Sequence, residues 1–282
     1  VLSQVNPRLI MCSLPGYGST GPYKDYLGFG FLFEALIGHA WVRGYADSDP
    51  TTLNPAYPSD TTAGATAAFV ILSALYHRQC TGRGQFIDLA MTEAFLPHLG
   101  QSIMDYTMNR RVQRTVGNRD PGLSMAPHGC YRCRGHDRWL VMAIGSDEEW
   151  HGLCRAMREP AWTREERFSD ALSRARNQDE LDRLIEAFTL EHDHYALMHL
   201  LQKEGVPAGP VMDGRDCYND IHLKERGFFV RVTHPEAGTH LYPGFMVRMS
   251  GTPPTYRMPA PCLGEHNEHV YKKVLGVSSE EY

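Results

Sequence analysis

The stretch from Tyr57 to Glu93 (YPSDTTAGATAAFVILSALYHRQCTGRGQFIDLAMTE) constrains the chain most: one long run of helix formers closes on a glycine and leads at once into a strand pattern. Pro58 and Ser59 read as the end of a polar, irregular approach. Asp60 then stands where the helix opens, and Ala63, Ala65, Ala67, Phe69, Val70, Leu72 and Leu75 make it mostly apolar. His77 and Arg78 fall in the last turn, where cations are favoured, and Gly82 supplies the stop. Gln85 to Ala90 (QFIDLA) reads as a strand and Thr92 to Met108 as a helix.

A carboxylate at the start of a helix has two readings. Aspartate is among the best N-cap residues, accepting hydrogen bonds from the first free backbone N–H groups, and residue chemistry alone supports no more than that for Asp60. The same N–H groups and the helix dipole also favour an ionised carboxylate, which leaves a group able to attack an electrophilic carbonyl.

Upstream, Arg8 to Leu14 (RLIMCSL) is an apolar run of the kind that makes a buried parallel strand. The following Gly16-Tyr17-Gly18-Ser19-Thr20-Gly21 formally satisfies G-x-G-x-x-G. Pro22, Tyr23, Lys24 and Asp25 stand where an apolar helix should open onto a pyrophosphate, so the dinucleotide reading is set aside for a glycine-rich turn at the carboxyl end of a strand. Phe29 to Gly38 reads as a helix with Phe31, Leu32, Ala35 and Leu36 inward. From Trp41 to Ser59 a polar loop, rich in Pro, Asp and Thr, leads into Asp60.

Downstream, the aperiodic Gly117–Gly129 segment marks a domain boundary. Tyr131, Trp139, Val141 and Ile144 alternate as in a half-buried hairpin that turns at Arg134–Asp137. That alternation, with no second paired motif, weighs against zinc at His128, Cys130, Cys133 and His136, and a strand is the wrong place for a redox C-x-x-C. Ser146–Glu149 and Thr163–Glu166 have capping-box spacing, Asn177 caps a helix with Leu181, Leu184, Ile185 and Phe188 on one face, and a further helix runs from His194 to Glu204. The His192, His194 and His199 cluster reads as a solvated face with one partly packed ring. Val206–Pro210 is a stiff linker, Phe228–Thr233 and Phe245–Met249 read as strands, and the last helix spans Asn267–Leu275.

Composition excludes more than it selects. The 282 residues are 42% hydrophobic, ample for a sizeable core. A formal charge of −5 with no basic block gives no footprint for nucleic acid or anionic membrane. The longest apolar run, AAFVILSAL, is too short to span a bilayer. Seven scattered cysteines fit reduced thiols in a cytoplasmic protein, and the opening residues carry no signal-peptide pattern.

D-T-T-A-G, the small-residue helix ending A-L-Y-H-R, and T-G-R-G-Q-F-I-D-L-A-M-T-E-A together resemble the core of the class III CoA-transferases, the family of formyl-CoA and carnitine CoA-transferases. Asn6–Pro22 and Pro259–Gly276 resemble the same family, in order and across nearly the whole chain. The resemblance implies an α/β fold in which a Rossmann-like parallel-sheet domain is interrupted by a smaller α+β domain. The large domain would comprise 1–116 and 213–282, and the small domain with its flanking linkers 117–212. It further implies Asp60 as nucleophile, with Gly16 and Tyr17 against the thioester end of coenzyme A, and a mobile glycine-containing loop near Pro121–Ser124. No tightly bound cofactor and no metal are expected, coenzyme A thioester being a substrate. The partners implied are an acyl-CoA donor, a carboxylate acceptor and a second copy in an interlocked homodimer. Because the chain opens at Val1 without Met, the expectation is an N-terminally truncated form whose upstream part would complete the sheet and the pocket.

Two alternatives stay open at this level. Acyl-CoA racemases of the same superfold use a histidine and an aspartate near the start of the Phe29 helix, but Phe29 and Gly30 occupy those positions here, and a phenyl ring carries no proton. A non-catalytic or truncated subunit is the other alternative.

Overall fold

The computed structural model describes residues 1–54, 56–119, 122 and 125–282. The chain is a mixed α/β protein that divides into two units, Val1–Pro210 and Val211–Tyr282. Expectations for Pro121, Leu123 and Ser124 lie outside the described residues.

A short helix, α1 (Leu2–Val5), precedes β1 (Met11–Ser13), which is shorter than the apolar run around it because only these residues find a partner. That partner is β2 (Phe86–Asp88), and the register is parallel, Met11 against Phe86, Cys12 against Ile87 and Ser13 against Asp88. A parallel pair requires a crossover, and helices supply it. They are α2 (Gly30–Leu36), α3 (His39–Val42) and the 24-residue α4 (Pro58–Thr81).

Helix α4 starts two residues before the sequence reading placed it. Proline lacks an N–H and has its φ preset, which suits the first helical position, so Pro58 opens the helix. Gly82 ends it at φ +75°, its N–H bonded to the Arg78 carbonyl. Only Ser59, Ala63 and Ala74 of this helix are buried, while Phe69, Leu72 and Tyr76 are exposed. The inward face of α2 also differs from the reading. Gly30, Phe33 and Glu34 are buried at i, i+3 and i+4, whereas Leu32, Ala35 and Leu36 are exposed. Periodicity identified the helix, and an acidic residue on its buried face hid which side faces in.

After β2 the chain breaks into α5 (Met91–Phe95), a 3₁₀ turn at Leu96–Leu99 and α6 (Gly100–Asn109), rather than the single helix expected over 92–108. Pro97 cannot donate in an α-helical ladder, which accounts for the interruption.

The rest of the first unit packs around one apolar core. β3 (His128–Arg132) and β4 (Trp139–Ala143) form the expected antiparallel hairpin, with Tyr131 and Ile144 buried as read, but Leu140 and Met142 are buried on β4 while Val141 is exposed. Against it pack α7 (Asp147–Ala156), the 3₁₀ turn before α8 (Ala171–Arg176), α9 (Gln178–Thr189) and α10 (His194–Lys203), through Trp150 and Leu153, Phe168, Leu181 and Ile185, and Leu197 and Leu201 respectively. Both halves of the Ser146–Glu149 capping box form. Thr163 instead lies inside a 3₁₀ turn, and Asn177 stands at the start of α9 with its amide donated to the carbonyls of Arg167 and Ser173. Of the three clustered histidines, His199 is exposed, His192 half-buried and His194 buried, so the one packed ring is packed more fully than expected. Residues 208–210 of the expected linker form β5 (Ala208–Pro210), a third strand antiparallel to β4.

The second unit holds α11 (Gly214–Asn219), α12 (Ile221–Glu225) and a hairpin of β6 (Phe229–His234) with β7 (Gly238–Pro243). The second strand of this unit is thus Gly238–Pro243 and not the expected Phe245–Met249, with the tight turn at Pro235–Ala237 setting the register from Phe229 against Pro243 to His234 against Gly238. A single π-helical turn, His269–Val274, replaces the expected last α-helix. Among the described residues no helix is long and apolar enough to cross a membrane.

Candidate active site

Asp60 is the third residue of α4 and is exposed. The cap position belongs to Tyr57, which makes no side-chain cap bond, and among the described residues the Asp60 carboxylate has no hydrogen-bond partner either. The capping role that residue chemistry alone allowed is therefore not the one Asp60 performs. Its carboxylate lies instead against the first residue of α2: a Cβ placed on Gly30 would stand 2.9 Å from Oδ2, 3.0 Å from Oδ1 and 3.0 Å from Cδ1 of Tyr57. Next to it, the buried Ser59 hydroxyl donates to the Gly30 carbonyl at 3.3 Å, joining the two helix starts.

Helix α2 connects this carboxylate to the glycine turn. Phe33, three residues or about 4.5 Å of helical rise beyond Gly30, is buried between Gly16 and Gly28. A Cβ on either glycine would fall 2.4 Å from the Phe33 ring, so both lack side chains for reasons of space. The Tyr17 ring meets Phe33 edge-on at 5.2 Å and also packs against Tyr23 and Tyr26. Beside Tyr17 a cavity of about 270 Å³ opens between the turn and the end of α2, lined in part by Tyr23, Leu36, Thr92 and Leu96.

Two other residues fasten the turn. The Gly16 carbonyl accepts from the Thr92 amide at 3.1 Å and from its hydroxyl at 3.0 Å. Asp88, the last residue of β2, accepts from the Ser19 amide at 3.0 Å on each oxygen and from the Ser19 hydroxyl at 2.9 Å. Among the described residues the N–H groups of Gly16, Tyr17 and Gly18 have no acceptor, although Gly18 is buried.

Glu34 is a residue the sequence reading did not mark. Its carboxylate is wholly buried, with Oε2 3.2 Å from His39 Nδ1 and 3.4 Å from Arg43 Nη1. Arg43 also donates through Nη2 to the Asn54 carbonyl at 2.7 Å, so Glu34 ties α2 to the approach to α4. Its Oε1 has no partner among the described residues. No motif would have exposed this cluster, because an acid inside an apolar helix reads as a solvated position.

Cys130 and Cys133 lie on and just after β3. Burial, with smaller contributions from Asp193 and Cys130, pushes the Cys133 thiol up to about 11, the reverse of what a redox or metal-binding thiolate requires. Among the described residues no group of His, Cys, Asp and Glu is arranged to hold a metal ion.

Comparison with known proteins agrees with this architecture. The profile of CoA-transferase family III matches residues 1–267. Succinyl-CoA–D-citramalate CoA-transferase from Chloroflexus aurantiacus is 31% identical over 280 residues, which cover 99% of this chain and 69% of that one. Succinate–glutarate CoA-transferase from Agrobacterium fabrum is 31% identical over 271 residues, covering 95% and 66% respectively. Among solved structures, a CaiB/BaiF family protein from Brucella suis aligns with a TM-score of 0.82 at 28% identity, covering 97% of this chain and 70% of that one. The chain thus spans roughly two thirds of the length of these relatives. With the parallel strand pair, the turn that follows it and Asp60 at the head of the crossover helix, the chain belongs to CoA-transferase family III.

Proposed function

We propose that the protein moves coenzyme A from an acyl-CoA donor to a carboxylate acceptor, with Asp60 as the nucleophile. The single observation that carries this reading is the Asp60 carboxylate, exposed, unpartnered among the described residues and lodged beside a glycine at the junction of two helices. The sense of the reaction is supported by the relatives, which are named for transfer between succinyl-CoA and citramalate and between succinate and glutarate.

In this mechanism an Asp60 oxygen attacks the thioester carbonyl carbon, and the C–S bond breaks to release coenzyme A as thiolate, leaving an acyl–aspartyl anhydride. The thiolate then attacks the aspartyl carbonyl, expels the donor carboxylate and leaves an aspartyl-CoA thioester. An acceptor carboxylate attacks that thioester, the thiolate leaves once more, and its return to the acyl carbonyl of the new anhydride delivers the product thioester and restores Asp60. Covalent half-reactions replace one difficult exchange with easier ones. The free N–H groups at Gly16, Tyr17 and Gly18 are the donors suited to the oxyanion that forms at each attack. The 117–212 segment would act as the smaller domain of a cytoplasmic, interlocked homodimer; sedimentation of the full-length protein across a wide dilution series tests this, a native monomer at low concentration being the contrary result.

The direct test is Asp60→Ala in the full-length protein, assayed for transfer from succinyl-CoA to a panel of labelled carboxylates. Exchange should vanish, while stability should change by less than about 1 kcal/mol, because an acid in the first turn contributes only a modest dipole interaction. Substantial exchange by the alanine variant would remove Asp60 from the mechanism.

A further inference from the structure

We propose that Asp88 is a positioning residue whose carboxylate holds the Gly16–Gly21 turn so that its unbonded N–H groups face a bound thioester. The inference rests on the reading of Asp60 above and adds to it the part of the site that would receive the negative charge.

From Gly16 to Gly18, three successive N–H groups have no acceptor among the described residues, and Gly18 is buried at φ +87°. A buried backbone N–H left unpaired is costly, and Gly18 is buried while Gly16 and Tyr17 are half-buried, so a ligand that accepted from the three would complete their bonding. A turn that presents free amides must also be kept from collapsing onto its own carbonyls. Here hydrogen bonds fasten it at Gly16 and at Ser19. Thr92 takes the Gly16 carbonyl with two hydrogen bonds, and Asp88 takes Ser19 with three.

The two anchors differ in what they do. Thr92 donates, and its two bonds occupy the Gly16 carbonyl. Asp88 accepts, and because both of its oxygens lie 3.0 Å from the Ser19 amide, it fixes the direction of that peptide. Hydrogen bonds to a carboxylate are shorter and stronger than those between neutral groups. Asp88 can make them because it ends β2, directly across the parallel register from Ser13, three residues before Gly16. The strand pair thus sets the reach of the carboxylate, and the carboxylate sets the turn. Asp88 touches no substrate in this scheme; it acts through Ser19.

The experiment compares wild type, Asp88→Ala and Asp88→Asn in the full-length protein, with succinyl-CoA as donor and a labelled carboxylate as acceptor. Loss of one oxyanion donor costs on the order of 100-fold or more in kcat. A loosened turn should forfeit part of that, so Asp88→Ala is expected to lower kcat at least about tenfold with little change in KM for succinyl-CoA. Asp88→Asn, which keeps an oxygen to accept from the Ser19 amide, should recover part of the loss. Preserved kcat in Asp88→Ala, or a rise in KM alone, overturns the proposal. Should Asp88→Ala fail to fold, Asp88→Asn, which exchanges one accepting oxygen for a donor, decides: a reduced kcat supports the proposal and an unchanged kcat overturns it. Amide hydrogen exchange at Tyr17, Gly18 and Ser19 separates this idea from the role of Asp60. Faster exchange at Ser19 in Asp88→Asn, with loss of the protection that succinyl-CoA confers on Tyr17 and Gly18, supports the clasp even if Asp60→Ala retains activity. Exchange unaltered by the substitution overturns it even if Asp60 proves essential.

Discussion

The Asp60 carboxylate occupies the space that a side chain on Gly30 would need, with Oδ2 only 2.9 Å from where a Cβ would stand. The relationship joins residues thirty positions apart and makes the first turn of α2 one wall of the candidate site. It also gives the glycine a reason to be there: room, since its backbone lies in an ordinary helix.

Gly30→Ala is therefore expected to displace the Asp60 carboxylate or rotate it away. A misplacement of about 1 Å can cost on the order of 100-fold in rate, so exchange should fall by at least about tenfold. Stability should change little, because the obstructing atoms are the far end of a flexible side chain and alanine is the better helix former by about 1 kcal/mol. Parallel measurement of kcat and thermal midpoint checks this, and unaltered kcat would show that the carboxylate has other room.

Gly16→Ala should behave in the opposite way. Its Cβ would fall 2.4 Å from the Phe33 ring, which also lies against Gly28, where a Cβ would meet it at the same distance. Overpacking of this kind typically costs about 1–3 kcal/mol. Denaturant unfolding should register the loss, and Gly28→Ala should match it for the same reason.

Glu34 is a buried acid with an arginine and a histidine on one oxygen. Glu34→Ala removes the acceptor from Arg43 and should cost about 3 kcal/mol, the usual result of breaking a buried pair from one side. Glu34→Gln keeps an oxygen for Arg43 and should cost clearly less. If the two variants were equally stable, the ties between Glu34, His39 and Arg43 would not matter to folding.

Asp105 should make stability depend on acid pH. Its hydrogen bond with Arg111 Nε at 2.7 Å, seconded by the Asn109 amide at 2.9 Å, holds its carboxyl below the ordinary value of 3.8. Since the folded-state value is the lower one, this contribution is fully present above pH 3.8 and is lost as pH falls through the depressed folded value. The difference in thermal midpoint between wild type and Asp105→Asn should accordingly be constant near neutrality and shrink below that pH. A difference that grew in acid would contradict the assignment.

Much of the local structure was legible in the sequence. Gly82 ends α4 because only a residue without Cβ takes φ +75° at no cost, and the Ser146–Glu149 box forms because its four residues contain every donor and acceptor it needs. The QFIDLA run and the apolar run before Gly16 each contain a strand, as their composition indicates. These features are decided within a few residues, or by one strong alternation, so composition and spacing suffice.

What tertiary structure alone decided is which faces and atoms meet. Nothing in the order of residues says that Glu34 rather than Leu36 turns inward, that Val206–Pro210 supplies a strand to the β3–β4 sheet, or that β6 pairs with Gly238–Pro243. The local pattern placed Asp60 at the start of a helix and only the family resemblance singled it out, while its lack of a cap bond and its position against Gly30 depend on how α2 packs on α4. The clasp between Asp88 and Ser19 likewise spans 69 positions and exists because a parallel register brings two strand ends level. Helices and turns are settled by neighbours along the chain; a site is settled by neighbours across it, whose proximity is fixed only when the crossover has closed.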